Sequence, residues 1–285
     1  MAGTCLAYLH HNLFNYPGGE TNVPQPQLII FTDLDGTLLD HYNYSWQAAN
    51  PALKLLRERQ IPLILCTSKT AAEVSKLHQE LKLTTPFIVE NGAGIIFPEN
   101  MSSAHFFGKP YSELINLVQQ LRRQKGYRFQ GFADFSVAEI AAETGLSIAV
   151  ATLAKQRLCS EPLRWDDNLM KLEEFRNDLT RHGLQLLRGG RFYHVVSDRA
   201  GKGTALRWLL EHYPSPENNC WYSVALGDGP NDQSMLEAAD LAVVIPSVSG
   251  LAPKPQNVTI IHATEQGPKG WNQTVCDILQ QFDKE

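Results

Sequence analysis

Residues 27–39 read QLIIFTDLDGTLL. Gln27–Thr32 is a short apolar run rich in branched side chains, the pattern of a strand buried on both faces. It stops at Asp33, Asp35 and Gly36. If the strand continued through them, the two carboxylates would point the same way. Like charges that close repel unless a cation or a proton lies between them, and Gly36 lets the chain turn sharply straight after. Taken alone, such a pair reads as a strand-to-loop turn in which aspartate caps the next element.

Further runs of the same kind follow: Ile61–Cys66, Pro86–Val89, Trp221–Leu226 and Leu241–Ile245. Helix-like stretches lie between several of them, at Trp46–Arg59, Ala71–Leu81, Thr204–His212 and Asp232–Ala239. Alternating β and α predicts a Rossmann-like, doubly wound α/β core. Residues 111–188 differ. Helical segments near Tyr111–Gln124, Val137–Glu143 and Asn168–His182 mix with short strands at Tyr127–Phe132, Pro162–Trp165, Leu184–Arg188 and Phe192–Val196, which predicts an inserted α+β unit. The expected division is a tail over 1–26, a core over 27–108 and 189–285, and the insertion over 109–188.

The second acidic cluster is Gly227-Asp228-Gly229-Pro230-Asn231-Asp232, again just past a buried strand. Ligands of open α/β sheets bind beyond the carboxyl ends of the strands. Asp33, Asp35, Asp228 and Asp232 are therefore expected to converge, as an all-oxygen set suited to Mg²⁺. Carboxylates with a hard cation invite a phosphate, and the other strand tips offer donors. Thr67-Ser68-Lys69-Thr70 opens one helix, where hydroxyls and free N–H groups grip an anion or simply cap. Gly201-Lys202-Gly203-Thr204 opens another, where the macrodipole opposes a lysine unless a carboxylate or phosphate compensates it. A Walker loop is excluded because Val196 and Gly203 stand where it needs glycine and Ser/Thr, and no G-x-G-x-x-G is present.

The 285 residues suffice for about two domains. A net charge of −5 argues against a nucleic-acid binder, and no apolar run reaches membrane-spanning length. The five cysteines are scattered and odd in number, so neither a disulfide framework nor a thiolate zinc site is expected. With no secretory pattern at the start, a reduced, cytoplasmic setting fits.

In this order the four motifs resemble the haloacid dehalogenase superfamily of phosphotransferases, with an insertion similar to its type C2 cap, C2B form. Further segments resemble the mannosyl-3-phosphoglycerate phosphatases: TSKT, ENGA at Glu90–Ala93, AKQRLCSEPLRW at Ala154–Trp165, GGRFYHV at Gly189–Val195 and GPKGW at Gly267–Trp271. The likeness runs from 27 to 283 and leaves out the tail. It implies Asp33 as nucleophile, Asp35 as general acid and base, and Thr67 and Lys202 on the phosphoryl group. It also implies Mg²⁺ on Asp33, the Asp35 carbonyl, Asp228 and Asp232. Arg157, Arg191 and Lys69 are expected to bind a carboxylate, since arginine does so bidentately. Gln156, Ser160, Glu161 and His194 are expected to read sugar hydroxyls, with Ser68 and Asn91 also at the substrate. The implied substrate is a phosphorylated sugar, the implied product a compatible solute such as mannosylglycerate, and the expected assembly a monomer or weak dimer. A sucrose- or other hexose-phosphate phosphatase, a phosphomutase and a non-catalytic sugar-phosphate or metal binder are the competing expectations.

Overall fold

The computed structural model describes residues 26–98, 104–189, 191–214, 220–248 and 250–283. The expected tail lies outside them, except that Pro26 already opens the first strand.

The core alternates as predicted: β1 (Pro26–Thr32), α1 (Asn50–Glu58), β2 (Leu63–Leu65), α2 (Ala71–Glu80), then β3 (Phe87–Val89), β4 (Gly94–Ile96) and β5 (His105–Phe106). After the insertion it resumes with α7 (Lys202–His212), β10 (Cys220–Gly227), α8 (Gln233–Leu236), β11 (Leu241–Val244), β12 (Thr259–His262) and α9 (Gly267–Phe282). Five strands form a parallel sheet in the order β12-β11-β10-β1-β2. A parallel bridge from Cys66 to Ile88 carries β3 onto its open edge. β1 sits in the middle, and its side chains alternate between two cores. Leu28 and Ile30 pack with α1 and α9, whereas Ile29 and Phe31 pack with α7 and α8. Burying both faces explains why the run reads as continuously apolar.

α9 is the one long core helix that the sequence reading did not place. Pro268 stands in its first turn, and Trp271, Val275, Ile278 and Leu279 bury one stripe. The Trp271 indole N–H donates to the Thr32 hydroxyl at 3.0 Å, and that hydroxyl donates to the Asp33 carbonyl at 2.8 Å.

The insertion is a cap built on an antiparallel sheet. It runs α3 (Tyr111–Lys125), β6 (Phe129–Gly131), α4 (Val137–Thr144), α5 (Ile148–Ala154), β7 (Ser160–Trp165), α6 (Leu169–Arg181), β8 (Leu184–Arg188) and β9 (Tyr193–Ser197). The strand order is β6-β7-β9-β8. Leu114, Val118 and Leu121 of α3 and Leu172, Phe175 and Leu179 of α6 form one core with that sheet. Because β9 pairs with both β7 and β8, the cap sheet extends to Ser197, past the boundary at 188 expected from sequence. α4 and α5 close a separate small core around Phe132, Phe135 and Ile140. Among the described residues no single helix is long and apolar enough to cross a membrane. Among the described residues Cys66, Cys159 and Cys276 are free thiols.

Candidate active site

The parallel ladder carries Asp33 to the sheet's carboxyl edge, where its N–H donates to the Leu226 carbonyl at 2.9 Å. The strand itself ends at Thr32. Asp33 and Asp35 therefore reach the same cavity through a tight turn rather than by strand alternation. The turn is closed by Gly36 N–H donating to the Leu39 carbonyl at 2.9 Å. Gly36 has φ +82°, and a Cβ there would come within 2.7 Å of an Asp228 carboxylate oxygen. Only glycine lets the two acidic loops close on each other.

Lys202 is the centre of the cluster. It is fully buried, and its Nζ donates to Asp33 Oδ1 at 2.5 Å and Asp232 Oδ1 at 2.6 Å. These are the compensating carboxylates that a lysine in a first helical turn requires. Burial works against its charge, but Asp232 and Asp33 more than offset that and hold the ammonium above its ordinary range. Asp232 Oδ2 accepts the N–H groups of Asp228 and Gly229 at 3.1 and 2.9 Å, which folds the 227–232 loop back on itself. Asp228 accepts hydroxyls from Thr37 at 3.0 Å and Ser247 at 3.3 Å.

Ligand oxygens of Asp33, Asp228 and Asp232 lie within 4.8 Å of one another. Burial and this crowding show in the titration of Asp33 and Asp228. Burial first, then Asp232, pushes the Asp228 carboxyl up to about 7. Burial and Asp232 likewise raise Asp33 well above the usual carboxylate range, against the pull of Lys202. Asp35 is ion-paired to Lys69 at 2.7 Å through Oδ2, while its buried Oδ1 has no partner. Four carboxylates thus face two ammonium groups, Lys69 and Lys202, and the imbalance matches one divalent cation. Every donor is oxygen. The nearby Cys66 thiol is pushed up by burial and stays protonated, so it offers no soft ligand. The residues present fit a hard divalent ion.

Thr67-Ser68-Lys69 follows β2. Thr70, not Thr67 or Ser68, caps α2, in a box with Glu73. Thr67 and Ser68 are thereby released from capping, and Thr67 Oγ1 accepts the Lys69 N–H at 3.2 Å. Lys69 Nζ also stands 5.1 Å from the centre of the Tyr44 ring.

A cavity of about 410 Å³ opens between core and cap. From the expected set it is lined by Asp33, Asp35, Ser68, Lys69, Asp228, Arg157, Arg191 and His194. Arg157 Nη1 donates to the Ser68 carbonyl at 3.0 Å and Ser160 Oγ at 3.1 Å. Arg191 donates to the Thr144 carbonyl at 2.7 Å, at the C-terminus of α4. Burial first, then Arg157, pushes His194 down to about 3, so its ring is neutral at physiological pH.

Thr67, Lys202 and Asp232 are buried and do not line the cavity; Lys202 and Asp232 stand behind Asp33. Four expected substrate residues do not line it. Gln156 is exposed elsewhere. Ser160 donates to Glu90 Oε2 of the core, and Glu161 accepts from the Tyr111 hydroxyl and Ala133 N–H inside the cap, so both are already engaged. Asn91 Oδ1 accepts from Asn231 at 3.1 Å. Conversely Tyr44, His41, Phe132, Phe192 and Asn231 line the cavity unforeseen. Tyr44, at φ 57°, is the one with a local signal, an aromatic set in the loop straight after the first acidic motif.

A profile of haloacid dehalogenase-like hydrolases matches residues 30–250. The chain belongs to this family. It is 37% identical over 265 residues to a protein named glucosyl-3-phosphoglycerate/mannosyl-3-phosphoglycerate phosphatase from Methanococcoides burtonii, covering 88% of this chain and 97% of that one. Solved structures agree on the fold. A phosphatase of the haloalkanoate enzyme superfamily from Bacteroides thetaiotaomicron superposes with a TM-score of 0.65 at 18% identity, over 94% of this chain and 98% of that one. The sucrose-phosphatase of Synechocystis, in complex with sucrose and phosphate, gives 0.61 at 16% identity over 91% and 99%. Family and named relative together make this haloacid dehalogenase-like chain a phosphoric monoester hydrolase.

Proposed function

We propose that this phosphatase hydrolyses mannosyl-3-phosphoglycerate or glucosyl-3-phosphoglycerate to the glycosylglycerate and phosphate, through an aspartyl-phosphate on Asp33. One observation carries the reading: the core carboxylates and the cap's Arg157 and Arg191 share a single cavity. A substrate with a phosphate at one end and a carboxylate at the other spans such a cavity; a simple hexose phosphate leaves the arginines unused. The name of the Methanococcoides relative supports the same substrate pair.

Asp33 attacks phosphorus with Oδ2, because Lys202 holds Oδ1. Its environment favours the protonated form, so cationic neighbours are what keep it ionised. Asp35 protonates the leaving sugar-acid oxygen and then takes a proton from the attacking water. Thr67, Ser68 and Lys69 orient the phosphoryl group. Mg²⁺ would be held by Asp33, Asp228 and the Asp35 carbonyl. Asp232, its oxygens already engaged, would complete the set through water. When bound, the ion supplies positive charge against the carboxylates and the phosphoryl oxygens. In the cap, neutral His194 reads hydroxyls and the two arginines hold the carboxylate. The setting proposed is cytoplasmic, with the product serving as a compatible solute. The chain is proposed to act as a monomer or weak dimer, without nucleic-acid or membrane partners.

The test is phosphate release from both glycosyl phosphoglycerates beside sucrose phosphate and hexose phosphates, with and without Mg²⁺. The reading expects a kcat/KM preference of at least about tenfold for the glycerates. Equal rates across the panel would sink it.

A further inference from the structure

The turn Glu90-Asn91-Gly92 touches three of the four segments that build the site, those of Thr67–Lys69, Gly201–Lys202 and Asn231, without lining the cavity. All three residues lie in the left-handed region, at φ 52°, 59° and 83°. Two of them carry a Cβ, and side chains adopt that conformation in succession only when surroundings enforce it. The surroundings are the site itself. Glu90 N–H donates to the Lys69 carbonyl at 3.0 Å, and Asn91 N–H to the Thr67 carbonyl at 2.9 Å. The Asn91 side chain meets Asn231, on the loop that carries Asp228 and Asp232. Gly92 lies so close to Gly201–Lys202 that a Cβ would stand 2.2 Å from the Gly201 carbonyl carbon and oxygen and 2.4 Å from Lys202 N.

The Glu90 carboxylate leaves the core. It is fully buried, and its three hydrogen bonds all come from the cap segment that begins β7. Leu158 N–H donates to Oε1 at 2.8 Å; Cys159 N–H and Ser160 Oγ donate to Oε2 at 3.1 and 2.7 Å. Arg157 immediately precedes that segment, and its guanidinium reaches both Ser160 and the Ser68 carbonyl.

We propose that Glu90 is a positioning residue that fixes Arg157 over the phosphate-binding loop, so that the cap's grip on the non-reacting end of the substrate is set from the core. A buried carboxylate with three converging donors fixes a loop more firmly than an amide of the same shape, which presents one acceptor oxygen instead of two. The proposal rests on the phosphatase reading of the cavity, but not on which sugar is preferred.

The test compares the full chain with E90Q, S160A, R157M and the E90Q/R157M double variant. KM and kcat are read on the phosphate ester that the wild type hydrolyses best, and on p-nitrophenyl phosphate. E90Q raises KM for the natural-type ester by about tenfold, kcat changes less, and KM for the short aryl ester moves less. S160A acts in the same direction by a smaller factor. The double variant is no worse than R157M alone, because both losses run through one guanidinium. An equal fall in kcat on both esters, or KM effects that multiply in the double variant, overturns the proposal. Should E90Q fail to fold by circular dichroism, S160A decides by the same criteria. A wild-type preference for some other sugar phosphate rejects the glycerate substrate, while the Glu90 comparison proceeds on that ester.

Discussion

The two walls of the cavity are built differently. On the core side Asp33, Asp228 and Asp232 are held by Lys202, Thr37, Ser247 and backbone N–H groups, so each group's position is fixed by several others. On the cap side Arg157 and Arg191 are anchored mostly through carbonyl oxygens and remain partly exposed to the cavity. Crowded like charges that need a cation make a wall suited to one reaction. Arginines resting on carbonyls make a wall that can be exchanged without disturbing it. On the function proposed above, reaction type belongs to the parallel sheet and most of substrate choice to the antiparallel one.

Removing the nucleophile breaks that division most sharply. D33N should cost at least about 10⁴-fold in kcat on every phosphate ester, in a phosphate-release assay; appreciable residual turnover would mean that the reacting group lies elsewhere. K202M attacks the same wall through stability. It leaves two buried carboxylates uncompensated, and urea unfolding should show a loss of about 3–5 kcal/mol, part of it recovered by added divalent ion. On the cap wall, R157M should raise KM about 10–100-fold for a carboxylate-bearing substrate with little change in kcat. Equal loss on hexose phosphates would erase the contrast between the walls.

The smallest effect is a pH slope inside the cap. Burial pushes Glu161 from its ordinary 4.5 up to about 7. A raised carboxyl contributes stability that is present below 4.5 and lost as pH rises through about 7. His194, depressed from 6.5 to about 3, contributes stability present above 6.5 and lost as pH falls toward 3. E161Q should therefore flatten the decline on the neutral side, by at most about 1.4 kcal/mol per pH unit, in urea titrations at stepped pH.

Much of the core wall was legible because its signals are local. β1 and β10 are apolar runs that end on acids, and Lys202 announces itself as a cation where a helix dipole disfavours one. The second acidic cluster made convergence the economical reading. α9 carries its own signal in Trp271, Val275, Ile278 and Leu279 at helical spacing, masked by the glycines and proline of its first turn. β4 and β5 are too short to show a period. In the cap, Ser160 and Glu161 look like surface polar residues, yet β7 turns them inward toward Glu90, Tyr111 and Ala133. Glu90 meets its partners across 68 residues or more, a relation that spacing within one motif does not express. Phe192–Val196 reads as a strand of the insertion although it lies beyond residue 188, and its pairing with β7 and β8 agrees with that reading.

The indole of Trp271 props the hydroxyl of Thr32, the last residue before Asp33, from 239 positions further along the chain. During synthesis the first acidic loop emerges early but lacks this prop until the helix that bears Trp271 has left the ribosome. A nascent polypeptide, or one clipped before that helix, should accordingly be inert toward phosphate esters even with its cap complete, and competence would arrive only once the helix has emerged.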